Sequence, residues 1–334
     1  METVIASGQL RVTLSSLGAA AGRAEVFLPG EGWRTVSLSP FPFEAQAEEP
    51  SLAGRCVAPC CGRIRRSEIR LNGQLYSLRP NEGPNQLHGG PGGASWKQWA
   101  LESAGENQAE YALSLADGED GWPGNRRLRV HWQAEDSSLT LRWQAESDRP
   151  AFVDLTSHLY WDLSGRFDGS ALGQRLTVGA AWAVENDDSH LPRRLIPAEG
   201  TPLDFRSGRS FEELQREFPE DHQLQVALGW NNALLLQGQP AVLEAPDRSL
   251  RMEITTDQPA MVVYTGGFLD EKTRLAGDKG AVPGCGVALE CQQLPDIFHF
   301  DAEKKAWQEA PVDLAANCGP GKIASGWIRW SFGG

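Results

Sequence analysis

The chain has no CxxC pair, no HExxH and no repeated CxxC spacing, so none of the common zinc signatures is present. Six cysteines occur, Cys56, Cys60, Cys61, Cys285, Cys291 and Cys318, and the adjacent Cys60 and Cys61 are poorly placed to bridge each other. They are expected to pack as reduced thiols. No window approaches the roughly 18 consecutive apolar residues of a membrane span. Met1-Glu2-Thr3-Val4 lacks the basic start and apolar run of a secretory signal. The expectation is a soluble cytoplasmic protein. Basic runs interleaved with aromatics are also missing, and the formal net charge of −13 repels nucleic acid and anionic membranes alike. Neither is expected as a partner.

Helical periodicity is scarce too. The best candidate is Ser210–Phe218, where Ser210 can cap and Glu213 stands three residues on. What the chain has instead is period-2 alternation. Leu128, Val130 and Trp132 alternate with polar residues, as do Leu139, Leu141 and Trp143, with Glu135-Asp136-Ser137-Ser138 between the two runs. That pattern predicts an antiparallel hairpin with one buried face. Similar runs occupy Leu10–Leu14, Ile69–Leu78, Tyr111–Leu115, Ala241–Leu243, Leu250–Ile254 and Met261–Tyr264, punctuated by 36 glycines and 21 prolines. Many strands and few short helices predict an all-β fold, a large antiparallel β-sandwich. No low-complexity linker or internal repeat divides residues 1–334, so one domain is expected. Tyrosine is rare at 4 residues against 12 tryptophans. Most of these indoles are expected in the core, although flat rings also suit sugar faces.

Three segments carry the chemistry. Gln86-Leu87-His88-Gly89-Gly90 and Asp154-Leu155-Thr156-Ser157-His158-Leu159-Tyr160 each supply an imidazole, and Leu289-Glu290-Cys291-Gln292-Gln293-Leu294-Pro295-Asp296 supplies a carboxylate. Two histidines and a glutamate can give and take protons near neutral pH with no metal and no cofactor. The order and wording of the segments resemble the aldose 1-epimerases, or galactose mutarotases. That resemblance implies a galactose mutarotase-like sandwich that interconverts the α and β anomers of a free aldose. It implies Glu290 as general base and His158 as general acid, with His88 binding the sugar beside them.

Arg63-Ile64, followed by Ile69, Leu71, Gly73 and Tyr76, keeps the family's spacing around a substrate-binding arginine, whose fork of donors suits vicinal hydroxyls. Asp117–Gly124, Gly200–Phe205 and Val263–Gly266 also match family turns, so the likeness covers nearly the whole chain. There are departures. Asn231 stands where the family has a sugar-binding aspartate, and Gly62 replaces the asparagine before the site arginine. Arg65 and Arg66 replace small residues and, with Arg63 and Arg70, make a basic cluster. The cluster either faces solvent or receives the phosphate of a hexose 6-phosphate. A sugar-binding protein without turnover is a further alternative. The partner implied is a monosaccharide, with the chain as monomer or homodimer. His131, His190, His222 and His299 carry no motif and are expected to be structural or superficial.

Overall fold

The computed structural model describes residues 2–38, 51–275 and 279–333. Two large antiparallel sheets face each other. The nine-stranded sheet runs, in spatial order, through Ala100–Ala104, Gln108–Leu115, Arg126–Glu135, Ser138–Ser147, Ala324–Gly333, Arg251–Thr256, Ala241–Glu244, Arg175–Thr177 and Arg209–Ser210. The eight-stranded sheet runs through Tyr160–Trp161, Val287–Gln292, Ala260–Tyr264, Asn231–Leu235, Trp182–Asn186, Pro192–Pro197, Ala306–Trp307 and Phe300–Asp301. A separate four-stranded sheet, Glu2–Thr35, covers part of the first. This is the antiparallel sandwich the alternation predicts.

The hairpin forms in the expected register, with Val130 opposite Trp143 and Glu135 opposite Ser138. Asp136 turns it with φ 52°. Its inward residues meet the other sheet through indoles. Trp132 stacks on Trp330 at 6.1 Å, and Trp330 lies 5.9 Å from Trp161 of the eight-stranded sheet. All three are fully buried. The run Ile69–Leu78 is a hairpin of its own rather than a single strand. Glu68–Leu71 and Gln74–Ser77 fold about Asn72 and Gly73, both with positive φ, as a two-residue turn requires.

The expected helix spans Phe211–Glu217. Ser210 accepts the Glu213 N–H at 3.1 Å while the Glu213 carboxylate accepts the Ser210 N–H, a complete capping box. Phe211 and Leu214 anchor it on the core. A second helix, His222–Ala227, is capped by Asp221 and has no counterpart in the sequence reading. All six cysteines are free and buried.

Candidate active site

Every residue of the strand Val287–Gln292 is buried, because both its faces are covered. Val287, Leu289 and Cys291 enter the core between the sheets. Ala288, Glu290 and Gln292 must therefore point the other way. Pairing sets their neighbours: Glu290 lies opposite Val262, which lies opposite Ala233, and in the next row Asn231 lies opposite Tyr264, Tyr264 opposite Ala288 and Ala288 opposite Tyr160. This outer face is the floor of a cavity of about 370 Å³. Loops carrying Gly62, Arg63, Glu82, His88, His190 and Phe268 wall it.

Glu290 and His158 are 3% and 5% exposed, and His158 Nε2 lies 3.6 Å from Glu290 Oε1. Their flanks are largely apolar or aromatic. The His158 ring stacks on Tyr160 at 4.8 Å, with Tyr264 edge-on at 6.3 Å. Burial, and then the neighbouring Asp154 carboxyl, push the Glu290 carboxyl up to about 8. Burial pulls the His158 imidazole down to about 4. Between those values the pair holds one proton, and burial favours the uncharged arrangement, with that proton on Glu290. Among the described residues Glu290 Oε2 and His158 Nδ1 find no hydrogen-bond partner. Unsatisfied polar atoms at this depth are unusual and suit an incoming ligand.

His88 is placed by backbone strain and glycine. It adopts φ 52°, its N–H donates to Gly62 O, and the Gly62 N–H donates to its Nδ1 at 3.2 Å. A nitrogen that accepts carries no proton, so in the neutral ring the hydrogen is on Nε2, available to a ligand. Burial, His158 and Arg63 keep this imidazole well below its ordinary range, hence neutral. The glycines that follow cannot be replaced easily. A Cβ on Gly89 would sit 2.5 Å from Ala58 O, and one on Gly93 would sit 2.7 Å from His88 O. The Asp117–Gly124 turn supports this loop from outside, since Asp120 accepts the Gly92 N–H and the Trp122 indole donates to Gln86.

Arg63 reaches the pocket wall with its guanidinium already held by Glu82, at 2.6 and 2.7 Å. Two parallel bonds of this kind fix the fork in one orientation. Asn231 lines the pocket half-buried, its backbone carbonyl accepting from Asn186 Nδ2 at 2.8 Å. Gly62, at φ 73°, leaves room on the pocket side where a larger residue would project.

All five candidate residues thus line one cavity: Glu290, His158, His88, Arg63 and Asn231. Several lining residues escape the sequence reading, His190 and Glu82 among them. His190, expected to be structural, lines the pocket with its ring edge-on to the half-exposed Phe268 at 5.3 Å. Nothing local in the sequence ties Glu82 to Arg63. The remaining histidines are structural or superficial as expected. His299 is fully buried against Asp296, and His222 is exposed beside Asp188. No tryptophan lines the cavity. Of the basic cluster only Arg63 lines it among the described residues. Arg65 bonds Glu309 and Pro192 O, Arg66 pairs with Glu309, and Arg70 bonds Gly73 O. Asp296, in a left-handed turn, accepts the Arg65 N–H at 3.2 Å and so holds the strand end that carries Arg63. Among the described residues no group of three or more His, Cys, Asp or Glu is arranged to hold a metal.

Residues 4–304 match the family model described as aldose 1-epimerase. The chain belongs to the aldose 1-epimerase family. It is 29% identical to the aldose 1-epimerase of Escherichia coli over 293 residues, covering 85% of this chain and 83% of that one. It is 27% identical to the galactose mutarotase of Bos taurus, over 88% and 85% of the two chains. A solved aldose epimerase homologue from C. elegans shares the fold, with a TM-score of 0.85 at 23% identity over 100% and 99% of the chains. As a family member the chain is a carbohydrate isomerase that interconverts the anomers of an aldose. No helix among the described residues is long and apolar enough to cross a membrane.

Proposed function

We propose that the chain is a cofactor-independent aldose 1-epimerase in which Glu290 is the general base and His158 the general acid for a free monosaccharide. The observation that carries this reading is the Glu290–His158 pair, 3.6 Å apart on the cavity floor and almost closed to water. Glu290 takes the proton of the C1 hydroxyl, whose O–H electrons become the second bond of the carbonyl. The C1–O5 bond breaks, its electron pair stays on O5, and His158 Nε2–H protonates it. Rotation about C1–C2 turns the other carbonyl face to O5, and the reverse steps close the opposite anomer. General acid and base help of this kind contributes roughly 10²–10⁴-fold per group.

The proton count fits the pair. Ring opening moves one proton onto Glu290 and one off His158, leaving a neutral acid and a neutral imidazole. Burial favours that same arrangement of the pair. The open-chain state therefore meets no unpaired buried charge, which would be costly. His88 Nε2–H, Arg63 and Asn231 hold the hydroxyls, with Arg63 pre-oriented by Glu82. The six buried, unpaired thiols support a cytoplasmic setting.

A phosphorylated substrate is the weaker reading, because Arg65, Arg66 and Arg70 are turned to other partners and Arg63 is neutralised by Glu82. Polarimetry on freshly dissolved α-D-glucose, α-D-galactose and glucose 6-phosphate separates the two. Faster decay of rotation with the free sugars is expected. Acceleration with the phosphate alone would overturn the substrate assignment.

A further inference from the structure

The proposed roles of Glu290 and His158 leave a second buried acid unused. Asp154 is 2% exposed, stands four residues before His158, and does not line the pocket. Its Oδ2 accepts the N–H of Gln293 at 3.2 Å, three residues past Glu290, while its own N–H donates to Pro59 O. The Cys61 thiol and the Leu155 N–H also lie against this carboxyl and favour its charged form. The titratable groups facing Asp154 are Cys60, Cys61 and Glu290. Those facing Glu290 are Asp154, His158, Cys61, Tyr264 and Cys291. Among the described residues no Lys or Arg pairs with either carboxylate. The thiols are themselves pushed far up by burial and carry no charge at neutral pH.

We propose that Asp154 is a positioning residue for the proton chemistry: a buried carboxyl held against the end of the Glu290 strand and outside the pocket, whose negative charge strengthens Glu290 as a base. Two carboxyls in one dry region, with no cation between them, ionise one after the other. Burial raises Asp154 to about 7, within a unit of Glu290, so the two carboxyls titrate over overlapping ranges and the charge on either one makes the other's proton harder to lose. The inference rests on Glu290 acting as the base at C1.

Asp154→Asn tests it, since asparagine keeps an oxygen for the Gln293 N–H at nearly the same volume. The alkaline limb of the kcat/KM profile should move down by about one pH unit. The KM for sugar and the Tm should stay near wild type. An unmoved limb with wild-type kcat would overturn the inference. A second measurement does not depend on that variant folding. Isotope-edited infrared titration of the aspartate carboxyls, comparing wild type with Glu290→Gln, reads the coupling from the other side. Coupling is reciprocal, so the Asp154 midpoint must fall in Glu290→Gln, and an unchanged midpoint would contradict the inference. Wild-type protein that accelerates no sugar would overturn the catalytic reading instead, leaving the infrared coupling to stand or fall alone.

Discussion

In the strand Arg126–Glu135, buried Leu128, Val130 and Trp132 alternate with exposed or half-exposed residues, whereas in Val287–Gln292 all six residues are buried. The first strand has water on one side, so hydrophobicity marks its geometry residue by residue. The second has the core on one face and the pocket on the other. Its alternation is of a different kind: Val287, Leu289 and Cys291 against Ala288, Glu290 and Gln292. On the first sheet the outward face contributes little beyond solubility. On the second it supplies a carboxylate that burial holds at about 8. One strand builds the core, and the other uses that core to keep its glutamate out of water.

Substitutions on the two sheets should therefore fail in different ways. The largest effect is expected for Glu290→Gln, which removes the proposed base and should cost at least about 10²–10⁴-fold in kcat. Its thermal unfolding should stay near wild type, as followed by circular dichroism. His158→Gln should fall in the same range, and wild-type turnover in either variant would break the assignment. Trp330→Ala, on the core sheet, should do the opposite. It should lose about 3–5 kcal/mol of stability in denaturant unfolding while the folded fraction keeps its activity. Loss of activity without loss of stability there would erase the contrast. Asn231→Asp should have a smaller effect. A charged acceptor adds about 1 kcal/mol to a hydroxyl contact, roughly a fivefold fall in sugar KM with kcat nearly unchanged. The smallest is Ser210→Ala, expected to remove about 1 kcal/mol of stability through the helix cap and nothing from catalysis.

Legibility in the sequence followed the same division. The Arg126–Ser147 hairpin and the Phe211–Glu217 helix were readable because solvent exposure and a capping box leave local marks. The helix His222–Ala227 was not, being six residues long with no such box. Glu290, His158, His88, Arg63 and Asn231 were found through the wording of their segments rather than through periodicity. His190 and Glu82 were missed for a physical reason. His190 is set in the pocket wall by the Asp187 turn, whose side chain accepts the Leu191 N–H. Glu82 gains its role only by meeting Arg63 across 19 residues. The arginine cluster shows the converse, since closeness in sequence did not bring Arg65, Arg66 and Arg70 into the site.

If Glu290 and His158 share one working proton as proposed, a pH–rate profile of kcat/KM reads both groups at once. Below about 4 His158 takes up a second proton, and no base remains in the pair. Above about 8 Glu290 loses the last one, and no acid remains. After subtraction of the spontaneous rate, polarimetry on α-D-glucose or α-D-galactose should give a bell with limbs near those values. A rate that is flat, or that keeps rising well past the upper limb, would contradict the account.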